Sequence, residues 1–237
     1  MAVGIFTTKI EKVIDQGAET RHFKLAFEPG VDFQFKAGQF VNIIVPPIGE
    51  HKIIKRPYSI ASPPSWKGFI DLTWKRVPGG YVTNHLWTLK EGETIQVQGP
   101  LGHFTVKEPI PKTIIFVSTG TGIAPFRSMI HELITHNISC DIWNIFGNRY
   151  EKEILYQEEL EKLAAAHAHF HNVFTVSRPK EWKGETQYVQ FLLRKYIANP
   201  FHKHIYICGL TSMITEVLKT ALEMGFERDQ IFFEKYD

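Results

Sequence analysis

Cysteine is nearly missing from this sequence. Only Cys140 and Cys208 occur, far apart and without a CxxC spacing. An iron–sulfur cluster held by four thiolates is therefore excluded within the chain, and two distant thiols in a reducing compartment are not expected to pair. Long apolar runs are missing as well. No stretch approaches the ~20 residues that span a bilayer, and Met1 to Phe6 shows no basic stretch followed by an apolar core. The expectation is a soluble, cytoplasmic protein with no membrane partner. An excess of one charge is missing too: 27 basic and 25 acidic side chains leave a net charge of +2, which does not favour nucleic acid as a partner. His167, His169 and His171 alternate, but no carboxylate or thiol neighbours them, so they read as solvated residues and no metal site is expected.

What is present divides the chain in two. A length of 237 residues suits one large domain or two of about 100 to 150 residues. From Phe6 to about Lys107 the signals are short alternating segments (Thr7 to Val13, His22 to Phe27, Gln39 to Val45, Ile70 to Arg76, Thr94 to Gln98). Turn formers such as Glu28-Pro29-Gly30, Pro46-Pro47 and Glu91-Gly92 separate them, as in an antiparallel barrel or sandwich. One helix interrupts them, with Val82, Leu86 and Leu89 on one face. Pro109-Ile110-Pro111-Lys112 reads as a linker. Beyond it, strand and helix alternate: Thr113 to Ser118, a helix carrying Phe126, Met129, Ile130, Leu133 and Ile134, strand Asp141 to Phe146, helix Ile154 to Ala166, strand Asn172 to Ser177, helix Tyr188 to Ile197, strand His204 to Cys208, helix Ser212 to Met224, strand Gln230 to Glu234. Such alternation predicts a parallel sheet covered by helices, with ligands at the carboxyl ends of its strands. The expected division is a barrel over 1–108 and an α/β domain over 109–237.

Three stretches carry chemistry. Arg56-Pro57-Tyr58-Ser59-Ile60-Ala61-Ser62 offers a cation, a flat ring and a hydroxyl within four residues, which suits a flavin nucleotide: a guanidinium for the pyrophosphate, a ring to stack on the isoalloxazine and a hydroxyl near its N5. Gly79-Gly80 stands before the first helix, with Thr83 in its first turn, and amides at such an N-terminus bind phosphate. Thr119-Gly120-Thr121-Gly122-Ile123-Ala124-Pro125 lies between a buried strand and a helix, the context of a dinucleotide loop, with Pro125 in place of the third glycine. An acid about 20 residues past the glycines would take the ribose hydroxyls of NAD. Asp141 has that spacing but falls at the start of its strand, whereas Arg149, Ser177 and Arg178 fall at the ligand edge. Two guanidinium groups and a hydroxyl suit a 2′-phosphate, which predicts NADP(H).

With these residues assembled, the sequence resembles the plant-type ferredoxin-NADP reductase family along nearly its whole length. The motifs that carry the resemblance are Arg56 to Ser62, Lys75-Arg76, Gly80-Tyr81-Val82-Thr83, Gly120 to Arg127, Ser177-Arg178, Tyr188-Val189-Gln190, Cys208-Gly209-Leu210 and Glu234-Lys235-Tyr236. The resemblance implies a two-domain fold, an antiparallel β-barrel for flavin followed by a Rossmann-like parallel-sheet domain for pyridine nucleotide. It implies that Arg56, Pro57, Tyr58, Ser59 and the segment Thr73, Trp74, Lys75 hold FAD, with Gly80, Tyr81, Val82 and Thr83 at its pyrophosphate. Gly120, Thr121 and Gly122 would receive the second nucleotide, Thr121 between flavin and nicotinamide. Ser177, Arg178 and Tyr188 would hold the 2′-phosphoadenosine, supported by Gly209 and Leu210. Ser59, Cys208 and Glu234 would line the hydride-transfer site, and Tyr236 would cover the flavin. The implied activity is hydride transfer between NADP(H) and FAD, with single electrons passed to ferredoxin or flavodoxin by a monomer. Lys52, Lys55, Lys75 and Arg76 are candidates for docking that acidic carrier. Two other readings share these residues: an NADH-dependent reductase component of an oxygenase, and a flavin-bearing electron-transfer subunit that takes no hydride from free nucleotide. Against the plant members, Thr186 replaces a lysine two residues before Tyr188, with Lys183 as a substitute; Asp237 follows the terminal tyrosine; and the shorter chain leaves FMN open.

Overall fold

Alternation in the first hundred residues becomes six antiparallel strands: β1 (Gly4–Asp15), β2 (Thr20–Phe27), β3 (Phe40–Val45), β4 (Ile54–Ser59), β5 (Phe69–Lys75) and β6 (Thr94–Leu101). The computed structural model describes residues 3–46 and 53–236, so the second residue of the Pro46-Pro47 turn, Lys52 and Asp237 lie outside the described residues. The sheet runs in the order β4-β3-β6-β1-β2-β5. An antiparallel bridge from Ile60 to Leu72 joins its two ends, curling it toward a barrel. One side chain in two points inward: Phe23 and Leu25 of β2, Val41 and Ile43 of β3, and Ile70, Leu72 and Trp74 of β5 make its core. Each such burial contributes on the order of 1.5 to 3 kcal/mol. Helix α1 (Tyr81–Thr88) buries Val82 and Leu86; Leu89, expected in the helix, follows its last turn in extended conformation and still packs on that core.

After the Pro109 to Lys112 stretch the strands are parallel: β7 (Thr113–Thr119), β8 (Asp141–Asn148), β9 (Phe170–Val176), β10 (Lys203–Gly209) and β11 (Ile231–Lys235), ordered β11-β10-β7-β8-β9. The chain winds from β7 outward to β9, then returns to the other side of β7. The sheet order therefore reverses between β7 and β10, the place at which open α/β sheets bind ligands. Helices α4 (Val189–Tyr196) and α5 (Thr211–Glu223) set Leu192, Leu193, Ile214 and Val217 against Ile115, Val117 and Ile207 of the sheet.

The helix expected from Ile154 starts later. Helix α3 spans Gln157–Ala166, because Tyr156 takes a left-handed φ of 56° and Glu151–Glu153 forms a separate 3-10 turn. Glu158 and Glu159 then fall in the first turn, where acids favour a helix N-terminus. Strand β9 is the outer strand of its sheet. Glu185 pairs beside Thr175 in a parallel bridge, and its carbonyl accepts the Val176 N–H at 3.0 Å, so the segment after β9 doubles back along that edge.

By contact the chain separates into two units, Met1–Val106 with Ala124–His136, and Lys107–Ile123 with Asn137–Asp237. Helix α2 (Ile123–Thr135) thus belongs, from Ala124 on, with the barrel. No helix among the described residues is long and apolar enough to cross a membrane.

Candidate functional site

In the barrel unit, the predicted flavin residues gather at one end. Arg56, Pro57, Tyr58 and Ser59 belong to β4, and Thr73, Trp74 and Lys75 to β5. The Tyr58 and Trp74 rings lie 5.6 Å apart. Alternation leaves the Arg56 guanidinium exposed, hydrogen-bonded to the Lys55 carbonyl at 3.0 Å, while Ser59 is buried. Burial pushes the Tyr58 phenol up to about 12 against the opposing pull of Arg56, so it remains a neutral hydrogen-bond donor. Thr73 and Trp74 have buried side chains, Trp74 against Phe23 at 4.0 Å, whereas Lys75 is exposed and pairs with Glu19 at 3.7 Å. Helix α1 is tied to the end of β5: Thr83 Oγ1 accepts the Val77 N–H at 3.0 Å, and Arg76 Nε donates to Asn84 Oδ1 at 2.8 Å. No side chain caps α1 at Gly80, and its first turn carries no acid. Uncapped amides at the positive end of a helix, with the exposed Arg56 guanidinium on the adjoining sheet, fit a pyrophosphate.

Beneath this end lies a buried ionic cluster that the sequence did not reveal. Asp71 of β5 meets Arg127 Nη1 at 2.9 Å and His22 Nε2 at 3.4 Å, and all three residues are nearly inaccessible, at 4, 5 and 6% exposure. Arg127 Nη1 also donates to the Ala61 carbonyl at 3.1 Å, and Ser128 Oγ to the Ser62 carbonyl at 2.7 Å. The end of the Arg56 to Ser62 segment is thereby clamped by two side chains of α2. Burial acts to raise the Asp71 pKa, but the hydrogen bonds and charges of His22 and Arg127 outweigh it and hold the carboxyl below its usual value. A strand pattern reads Asp71 as an outward polar residue; only its partners, 49 or more residues away, account for its burial.

In the sheet unit, the predicted nucleotide residues all lie at the carboxyl edge. Gly120, Thr121 and Gly122 follow β7, Arg149 follows β8, Ser177 and Arg178 follow β9, Tyr188 precedes α4, and Gly209 and Leu210 follow β10. A Cβ on Gly122 would stand 2.3 Å from the Cys208 carbonyl oxygen, so only glycine lets the loop after β7 pass β10 this closely. Tyr188 is 62% exposed and Leu210 51%. Cys208 pairs in register with Ser118 on one side and Glu234 on the other. Its thiol is wholly buried, and burial together with Glu234 raises its pKa well above the ordinary value despite a hydrogen bond with Tyr236. Tyr236 N–H donates to the Gly209 carbonyl at 3.0 Å. Cys140 is also a free, buried thiol, raised to about 11 by burial and by Asp141. Asp141 sits at the exposed amino end of β8. His171 stacks on Trp143 at 4.4 Å, while the His167 and His169 rings are 5.8 Å apart.

The exit from β8 also organises the loop after β9. The Asn148 carbonyl accepts Ser177 N–H at 2.9 Å and the Arg149 carbonyl accepts Arg178 N–H at 2.8 Å. The Arg178 guanidinium hydrogen-bonds the Tyr150 phenol. Glu151 Oε1 accepts three successive amides, from Lys180, Glu181 and Trp182, at 2.5, 2.9 and 3.1 Å. Glu151 is thus a structural residue of this edge, a role that no local pattern in the sequence signals.

Known proteins carry the same two halves. Residues 7–106 match the oxidoreductase FAD-binding domain and residues 116–219 the oxidoreductase NAD-binding domain. Ferredoxin–NADP reductase B of Sorangium cellulosum is 38% identical over 225 residues, 90% of this chain and 91% of that protein. The glycine betaine monooxygenase reductase subunit of Pseudomonas aeruginosa is 31% identical over 240 residues, 99% of this chain but 65% of that protein. The crystal structure of an Amycolatopsis cytochrome P450 reductase shares the fold with a TM-score of 0.90 at 22% identity, over 98% of this chain and 70% of that one. The chain accordingly belongs to the ferredoxin reductase-type family of FAD-dependent oxidoreductases, which transfer electrons between a pyridine nucleotide and flavin.

Proposed function

We propose that the chain is an NADPH-dependent reductase that delivers electrons to ferredoxin or flavodoxin, with residues 1–108 holding FAD and residues 109–237 holding NADP(H). The observation that carries the choice of nucleotide is the charge at the carboxyl edge of β8 and β9. Arg149 and Arg178 stand there exposed, and no ion pair to either is found among the described residues. Asp141, with the spacing of a ribose-binding acid, is at the opposite end of its strand. Guanidinium groups left without carboxylate partners favour a phosphate over a bare ribose hydroxyl, by about 1.5 to 3 kcal/mol for each charged hydrogen bond.

The bound flavin supplies hydride acceptance and the release of electrons one at a time. The protein's share is orientation. Arg56 and the first-turn amides of α1 would grip the pyrophosphate, Tyr58 would stack on the ring system, and Ser59 would hydrogen-bond near its N5. Cys208, kept as a neutral thiol, would offer a small, soft surface to the nicotinamide, and Glu234 would accept from its carboxamide. Tyr236 would cover the flavin until nicotinamide arrives. Lys55, Lys75 and Arg76, all exposed, suit an acidic carrier.

Anaerobic stopped-flow reduction of the purified holoprotein tests the reading. NADPH is expected to bleach the flavin at concentrations about tenfold or more below those needed with NADH, as one or two charged hydrogen bonds imply. Equal efficiency, or preference for NADH, refutes it. The latter would favour an NADH-dependent reductase component of an oxygenase, the reading supported by the likeness to a monooxygenase reductase subunit.

A further inference from the structure

The loop that follows β9 is anchored at its far end, where Trp182 Nε1 donates to the Glu185 carbonyl at 2.8 Å and Lys195 and Tyr196 donate to the Glu185 carboxylate at 2.5 and 2.6 Å. From Arg178 to Gln187 it contains no helix and only the single bridge at Glu185. The short stretch leaving β8 orders its near end, in consecutive steps: Asn148 and Arg149 fix the backbone of Ser177 and Arg178, Tyr150 holds the Arg178 side chain, and Glu151 gathers the next three amides, those of Lys180 to Trp182, on one carboxylate oxygen. Three amides converging on one oxygen form an anion-binding nest, here filled by a side chain of the chain itself. Hydrogen bonds from Lys180, from Glu151's own amide, and from Glu181 and Trp182 hold the Glu151 carboxyl down to about 2, so it is ionised at any physiological pH. The same engagement keeps Glu151 from neutralising Arg149 or Arg178, its neighbours at this edge.

We propose that Glu151 is a positioning residue for nucleotide selectivity: its carboxylate, seated in the Lys180 to Trp182 nest, sets the loop conformation that presents Ser177 and Arg178 to a 2′-phosphate. This rests on the reading of those two residues as 2′-phosphate ligands. The sign of the effect is what makes it distinctive. An acid close to a phosphate site opposes phosphate by Coulomb repulsion, so removing its charge should help binding. A positioning acid does the reverse: vacating the nest should weaken binding although a negative charge has gone.

The experiment titrates the holoprotein with adenosine 2′,5′-bisphosphate and with 5′-AMP by calorimetry, for the wild type, Glu151→Ala and Glu151→Gln. The wild type is expected to prefer the bisphosphate by about tenfold or more. Glu151→Ala should lose at least about fivefold of that preference, as the loss of one charged contact implies, with 5′-AMP affinity unchanged. Glu151→Gln keeps an acceptor oxygen and should retain most of the preference. Hydrogen exchange of the Lys180, Glu181 and Trp182 amides should accelerate in Glu151→Ala and much less in Glu151→Gln. The proposal is overturned if both variants bind the bisphosphate more tightly, if Glu151→Ala weakens both ligands equally, or if the three amides exchange as in the wild type. A wild type that binds the two ligands equally defeats the 2′-phosphate reading itself, a different outcome from a selective wild type whose Glu151→Ala variant stays selective.

Discussion

The two units place their charges in opposite ways. The barrel unit buries His22, Asp71 and Arg127 in one cluster. The sheet unit buries no Asp, Glu, Lys, Arg or His among the described residues, and Arg149 and Arg178 stand exposed on its loops after β8 and β9. Topology explains the contrast. Short connections fold α3, α4 and α5 back onto the parallel strands, and apolar contacts such as Leu192 and Val217 against the sheet suffice. Helix α2 has no such local route to the barrel, since Arg127 is 56 residues from Asp71 and 66 from Ala61. Apolar packing alone specifies the seat of a distant helix poorly, whereas a buried ion pair with fixed hydrogen bonds tolerates one arrangement. The difference teaches where each half can be changed: ionic substitutions should act on folding in the barrel and on ligand binding in the sheet.

The largest effect is expected from Asp71→Asn, which leaves the Arg127 charge buried without its carboxylate. Loss of one partner of a buried pair costs about 3 to 5 kcal/mol, to be read as a lower urea midpoint. Because the folded-state pKa of Asp71 is depressed, its ionised form contributes stability that is complete above the unfolded value of about 3.9 and lost as pH falls through the folded one. Stability of the wild type should therefore drop more steeply below pH ~4 than that of the variant. Equal midpoints would show that the cluster does not seat α2, and the contrast between the units would dissolve.

A smaller effect is expected at the chemistry itself. Ser59→Ala in one half and Glu234→Ala in the other should each slow flavin reduction by about tenfold or more, a loss of ~1.4 kcal/mol from the barrier, with little change in the urea midpoint. Stopped-flow rates equal to the wild type would remove these residues from the hydride-transfer site. The smallest response is expected from the thiols. Cys140 and Cys208 both belong to the sheet unit and are buried and protonated at neutral pH. Iodoacetamide at pH 8 should leave both unmodified in the folded protein over hours; rapid labelling of Cys208 would contradict its burial.

Much of the architecture was legible because it rests on period and punctuation. Period-two segments bounded by Pro and Gly marked five of the six barrel strands to within a few residues, all but β4, and Ile114 to Val117 followed by glycines marked the first parallel strand. The collinear motifs likewise pointed to the carboxyl edge. What stayed hidden depends on partners remote in sequence or on single backbone angles. The left-handed φ of Tyr156 delays α3 by three residues, although Leu155 and Leu160 continue an apolar pattern. Nothing local to Asp71 announces Arg127, and nothing in Glu151-Lys152-Glu153 announces amides 29 to 31 residues ahead. That α2 packs with the barrel follows from side-chain chemistry along its length, which periodicity cannot register.

The segment that doubles back beside β9 has a second consequence. An outermost strand ordinarily exposes a row of hydrogen-bonding groups that can recruit a foreign strand and seed aggregation. Here the Val176 amide is already taken by the Glu185 carbonyl, and Thr175 Oγ1 donates to the Gln187 carbonyl at 2.5 Å. The stretch bearing Ser177 and Arg178 therefore also shields the end of this strand, and mutations that loosen it should lower solubility.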